Sequence, residues 1–168
     1  MRKEIEDQFD AALSAHERKL AQRREAQSAM ERKEREFLQA FDDRCVSSLK
    51  PTLEQIGQYL AARGIRTRIE QTQERIGQSG RKEQDTALVI YLAVIGEGHS
   101  NQSNVYPSER HPHFRLICDK TQQRVVIFQS TIGADGVGQS GEIGTVGLEE
   151  LTPEFMEEKL LHVVKQIL

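Results

Sequence analysis

Residues 86–95, with the sequence TALVIYLAVI, contain the longest apolar run in the chain and decide the fold. Apolar side chains occupy both alternating sets of positions, as in a β-strand that is covered on both faces. The run has roughly half the length that a membrane-spanning helix requires. We therefore predict a central strand here, inside a β-sheet, and no association with a membrane.

Shorter segments on both sides of this strand show the two-residue period of half-exposed strands. Ile65, Thr67 and Ile69 alternate with charged residues on the N-terminal side. On the C-terminal side the same period predicts strands at 113–119, 123–130 and 142–148. Because the connections resemble those of hairpins, we expect a mostly antiparallel sheet of about five strands.

The end of the chain has the signature of a helix that packs on this sheet. Thr152 suits the N-cap position, and Pro153 suits the first helical position. Large apolar residues then recur at helical spacing, at Met156, Leu160, Val163 and Ile167. We expect this C-terminal helix to cover one face of the sheet.

The N-terminal 47 residues contain neither Gly nor Pro and are rich in helix-forming residues. Steps of three and four residues trace a heptad seam, whose large apolar members are Phe9, Leu13, Leu20, Met30, Phe37 and Phe41. The middle of the seam is polar, with His16, Arg23, Gln27 and Glu34. This pattern predicts one long, coiled-coil-like helix that is stabilised by a partner.

Pro51 interrupts the helical pattern and predicts a kink or short break near residues 47–50. A second, short helix is expected up to about Arg63, with Gly64 as its C-terminal cap. The other face of the sheet must then meet this short helix or a second chain. The fold class is α+β, with a helical segment at 1–47 and a small α+β domain at 48–168.

The composition and charge of the chain limit the classes of function that are expected. The net charge is −3, and positive and negative residues balance over 1–64, so phosphate binding has no basic surplus. Aromatic residues are few and Trp is absent, which argues against nucleic acid as a partner and leaves at most a weak accessory role. The charged start MRKEIEDQF lacks the apolar stretch of a signal peptide. Two well-separated cysteines, Cys45 and Cys118, fit a reducing, cytoplasmic environment.

Two patterns resemble ligand sites. Residues 136–141 match the string G-x-G-x-x-G, but further glycines and β-branched residues follow where a dinucleotide fold would begin a helix. His99, His111 and His113 could ligate zinc, yet no cysteine lies nearby in sequence and the spacing matches no known motif. We predict no bound cofactor or metal. Both patterns fit ordinary connecting loops better.

The leading hypothesis is therefore a non-enzymatic interaction or assembly module that uses its N-terminal helix. Parallel pairing would place Arg23 beside Arg23, whereas antiparallel pairing that crosses near residue 28 brings Arg23 towards Glu34. This favours an antiparallel homodimer, with another helical protein as the alternative partner.

A second hypothesis is a small-molecule-binding or enzymatic domain that uses the loops 72–85, 96–112 and 131–141. Its pocket would be lined by His99, His111 and Ser140.

Overall fold

The computed structural model describes residues 2–95, 105–133 and 135–168. The chain divides into two compact units, Met1–Phe37 and Leu38–Leu168, and the division falls inside the first helix, upstream of the predicted boundary at 47/48. The predicted α+β class is confirmed, with helices at both ends of an antiparallel sheet.

The N-terminal helical region is not broken at Pro51. Helix α1 spans Lys3–Arg44, a π-helical turn follows at Cys45–Leu49, and helix α2 spans Lys50–Ala61. Of the predicted kink or short break near residues 47–50, the break is wrong, because the chain stays helical and the α-helical pattern is interrupted only by this π turn. In the π turn the N–H of Lys50 donates to the carbonyl of Cys45, five residues back, and Pro51 falls in the first turn of α2, where it is tolerated.

The π turn keeps one stripe of side chains facing the core. Phe41, Cys45, Leu49 and Leu53 follow each other at intervals of four and are all buried. Four residues exceed one α-helical turn, so this stripe would drift around a regular helix. One turn of a π-helix takes more than four residues, so the π turn rotates the stripe back towards the core.

The main sheet has five strands in the order β1-β4-β5-β6-β7, and all neighbouring pairs are antiparallel. Its strands are β1 (Ile65–Thr72), β4 (Ala87–Val94), β5 (His113–Asp119), β6 (Arg124–Ser130) and β7 (Ser140–Val146). The edge strand β7 carries a bulge, because Ile127 pairs with Gly144 and Phe128 with Glu142, which leaves Ile143 as an extra residue.

A small second hairpin lies where the sequence predicted only a polar loop. Residues 72–85 include β2 (Arg75–Ile76) and β3 (Lys82–Gln84), which pair with each other. The hairpin has almost no apolar residues, so the alternation that marks a half-buried strand is missing.

Both packed helices cover the same face of the sheet, so the expectation that α2 would cover the other face is wrong, while cover by a second chain stays a prediction. Gly57 of α2 lies against the side chain of Thr67, and Gln166 of helix α3 (Pro153–Ile167) accepts a hydrogen bond from Gln129. The strand register places Thr67 and Gln129 on one face. We call this the inner face, and the opposite one the outer face.

Helix α3 begins as the sequence predicts, because the Thr152 hydroxyl accepts a hydrogen bond from the Phe155 N–H at 3.2 Å. Leu160 is fully buried, whereas its neighbour Leu161 is more than half exposed. We expect Leu160→Ala to cost ~2–5 kcal/mol of unfolding free energy. Leu161→Ala should change it by less than ~0.5 kcal/mol.

Thermal unfolding followed by circular dichroism checks this comparison. The Leu160 variant should melt roughly 6–15 °C below the parent, and the Leu161 variant close to it. Equal melting temperatures for all three proteins would show that α3 is not docked on the sheet.

Candidate association surface

The unit Met1–Phe37 consists of one helix whose seam is open to solvent. Phe9, Leu13, Leu20 and Met30 are all exposed, three of them by more than half of their surface. Single exposed apolar residues are common, but these four recur at heptad spacing along one side of the helix. Together they form a narrow apolar stripe, which we call the seam.

The other two predicted seam residues have different surroundings. Phe37, the last residue of the first unit, is half-buried, and Phe41 is fully buried in the larger unit. Phe41 therefore belongs to the core of the sheet domain. The exposed part of the predicted seam runs from Phe9 to Met30.

Weak side-chain interactions lie along the helix, in and beside the polar middle of the seam. Gln27 donates a hydrogen bond from Nε2 to Glu31 Oε1 at 3.1 Å, and Arg32 Nε lies 4.0 Å from Glu36 Oε1. Exposed pairs of this spacing stabilise a helix by about 0.2–0.5 kcal/mol each. They support the helix without covering its apolar stripe.

Of the three residues proposed to line the loop pocket of the second hypothesis, the two that the structure describes line different cavities. His99 lies outside the described residues. His111 lines a cavity of about 520 Å³, and its Nδ1 accepts a hydrogen bond from the Ser108 N–H at 3.1 Å. Ser140 lines a different groove of about 850 Å³, together with His162 of α3.

The glycine-rich string at 136–141 forms a turn and then a strand. Gly136 and Gly138 have positive φ, and a Cβ at Gly138 would come within 2.5 Å of the Thr131 carbonyl oxygen. Strand β7 begins at Ser140, where a nucleotide-binding turn would open into a helix. The glycines are therefore explained by the tight connection between β6 and β7.

His113, at the start of β5, contributes to the packing of the outer face. His113 is buried, donates from Nδ1 to the His111 carbonyl at 3.0 Å, and stacks on Phe128 with ring centroids 5.9 Å apart. Burial lowers the pKa of His113, so its ring is neutral at neutral pH. Among the described residues, no group of three or more His, Cys, Asp or Glu is placed to hold a metal ion.

Sequence reasoning missed a cluster of arginine and aromatic residues on the outer face. Arg68 donates from Nε to the Pro107 carbonyl at 2.6 Å, and its guanidinium lies 4.3 Å from the ring centroid of Tyr91 and 5.0 Å from that of Tyr106. Arg115 lies on the same face, opposite Val89 in the register. The sequence signal that could have indicated this cluster is the presence of Arg68 and Arg115 in the strands predicted before and after residues 86–95, which are apolar on both faces.

Comparison with models of protein families, with curated proteins and with solved structures finds no match to this chain. Within the described residues, no helix combines the length and the apolar composition that crossing a bilayer requires.

Proposed function

We propose that this protein is a non-enzymatic association module whose N-terminal helix pairs with the same helix of a second chain. The observation that carries the proposal is the exposed seam, in which Phe9, Leu13, Leu20 and Met30 lie along one side of the first unit. An isolated helix gains little from such a stripe, whereas a second helix can bury it.

The burial of Phe41 refines the expected register. An antiparallel pair that crosses near residue 28 would place His16 beside Phe41, which the core of the larger unit already occupies. A crossing near residue 25 also places the buried Phe41 opposite a seam residue, Phe9, but only at the end of the seam. Over the rest of the seam it sets Leu20 against Met30 and Leu13 against Phe37, whereas the crossing near residue 28 sets only Leu20 against Phe37 as a large apolar pair.

The polar positions support the same register. An antiparallel crossing near residue 25 places His16 opposite Glu34 and Arg23 opposite Gln27, so no like charges meet in the seam. A parallel pair would instead place Arg23 beside Arg23 and Glu34 beside Glu34, which repel each other. Charge and apolar pairing therefore favour the antiparallel homodimer.

Two glutamates in the seam should dissociate this dimer. We expect the full chain at tens of micromolar to have twice the 19.1 kDa mass of one chain. The double variant Leu20→Glu, Met30→Glu should be monomeric, because it would bury charged groups without partners. Size exclusion with light scattering measures both masses.

Ala15→Glu combined with Gln22→Glu is the matched control. It adds the same charge to the same helix at exposed positions that lie away from the seam. Glutamate is a good helix former in both variants, so helix content should be retained. The control should remain dimeric. A monomeric parent chain, or a dimer that survives the seam variant, would contradict self-association through the helix.

Disulfide trapping tests the orientation. In the antiparallel register, a chain with Leu20→Cys should cross-link to a chain with Met30→Cys, and neither should cross-link to its own copy. In a parallel pair each variant would cross-link to itself. The native Cys45 and Cys118 are buried, so they need not be replaced for this experiment.

A further inference from the structure

The outer face of the sheet contains a small cavity that the proposed association does not use. Its volume is about 310 Å³, at the lower end of the range for small-molecule sites. Val89 and Tyr91 of strand β4 and Arg115 of strand β5 line it, and Glu70 and Glu109 contribute carboxylates. All of these residues belong to the larger unit.

Arg115 is the unusual member of this lining. Its Nε is buried and has no hydrogen-bond partner among the described residues, and no carboxylate of that part of the chain lies within 4.0 Å of its guanidinium. The nearest ring, Phe128, has its centroid 5.9 Å away, at the outer limit of a cation–π contact. A buried donor without an acceptor is costly, and an arginine fork is shaped to bind a carboxylate.

The other charged groups around the cavity are already paired, with one exception. The pairs are Arg75 with Glu83 at 3.3 Å, Lys82 with Asp85 at 3.4 Å, and Arg68 with Glu70 at 2.9 Å. Glu109 lines the same cavity, is exposed, and makes no ion pair with any described residue. One cation and one anion of this lining are therefore unpaired.

A neutral hydroxyl group adds to the chemistry of the cavity. Tyr91 has a raised pKa, chiefly because of burial, so its hydroxyl stays protonated and can donate a hydrogen bond. A simple anion would be opposed by the surrounding carboxylates, and a simple cation by Arg115.

We propose that this cavity binds a small zwitterion of the size of a free amino acid. Arg115 receives the carboxylate of the ligand through paired N–H donors, and Glu109 receives its ammonium group. Such a ligand satisfies both unpaired charges of the cavity at once, which neither a simple carboxylate nor a simple amine does.

Calorimetric titration of the full chain with each standard amino acid in turn, at millimolar concentration, tests this proposal. We expect at least one amino acid to bind. Acetate and methylammonium, which carry only one of the two charges, should bind about tenfold more weakly or worse, because each lacks one charge-assisted hydrogen-bonded contact. If none of the amino acids binds, the proposal is wrong.

Substitutions assign the roles within the site. Arg115→Gln and Glu109→Gln should each weaken binding by about tenfold or more, since each removes one charged contact. Arg115→Lys keeps the charge but loses the fork, so its affinity should lie between those of the parent and Arg115→Gln. Unchanged affinity in Arg115→Gln would overturn the proposal.

Arg124→Gln is the matched control, because Arg124 pairs with Asp119 at 3.3 Å and does not line this cavity. It should bind like the parent. Glu109 is exposed, so Glu109→Gln tests the site even if a change at Arg115 impairs folding. Unchanged affinity in a folded Glu109→Gln variant would also overturn the proposal.

Discussion

Phe41→Ala should strongly destabilise the larger unit, whereas the same substitution at Phe9 should leave the stability of that unit unchanged. Both residues belong to the heptad seam predicted from the sequence. Phe41 is completely buried, and Phe9 is 57% exposed. Truncating a buried phenylalanine typically costs ~3–5 kcal/mol, through lost apolar burial and the cavity left behind.

The tyrosines offer a readout that is confined to the larger unit. Tyr59, Tyr91 and Tyr106 all lie beyond Phe37, and the chain has no Trp, so tyrosine signals report on the sheet domain. Urea unfolding followed by near-ultraviolet circular dichroism should give a much lower midpoint for Phe41→Ala than for the parent. Phe9→Ala should match the parent. Equal midpoints for the two variants would mean that Phe41 is not a core residue.

Cys45 and Cys118 should react with thiol reagents about a thousand times more slowly in the native protein than in the unfolded chain. Burial, with a smaller contribution from the negative charge of Asp42, raises the pKa of each thiol from 9.0 to about 12. The thiolate is the reactive form, so a shift of about three pKa units lowers its population about a thousandfold at pH 8. Labelling with a chromogenic disulfide, with and without denaturant, measures the ratio.

The same shift makes stability depend on pH in one direction. Well below pH 9 both thiols are protonated in the folded and in the unfolded chain. Between pH 9 and about 12 only the unfolded chain releases these protons, so the free energy of unfolding should fall as the pH rises. A Cys45→Ala, Cys118→Ala variant should show a weaker decline. Equal declines, together with rapid labelling of the native protein, would contradict burial of the thiols.

Residue patterns predicted the regular elements well where one physical preference dominated. The alternation around Ile65–Thr72 and the cap at Thr152 both match the structure, because side-chain burial and a local hydrogen bond act directly on those residues. The hairpin β2–β3 was missed because its strands are polar. The π turn was missed because Pro51 has the same sequence signature at a helix break and in the first turn of a continuing helix.

The placement of α2 could not be derived in the same way. A sheet with apolar side chains on both faces needs packing partners on both faces. The sequence does not show which helix or segment packs on which face. Here the outer face is lined by its own arginine and aromatic side chains and by the segment around Pro107, to which Arg68 donates. An arginine that alternates with apolar residues normally indicates a solvent-facing position, so Arg115 gave no sign of its buried Nε.

The seam shows a similar ambiguity. The spacing of three and four residues found Phe9 and Phe41 alike, because a helix presents the same stripe to its own sheet and to another helix. Only the fold distinguishes them, by burying Phe41 and leaving Phe9 exposed. The candidate association surface was therefore predictable as a stripe but not in its extent.

The bulge in β7 bears on the risk of aggregation. A regular, uncharged edge strand offers unpaired backbone groups on which further strands can add, and chains held together in a dimer raise the local concentration of such edges. In this protein Ile143 breaks the regular spacing of one edge, and Arg66, Arg68 and Glu70 place charge along the other. Both edges therefore carry features that oppose the addition of further strands.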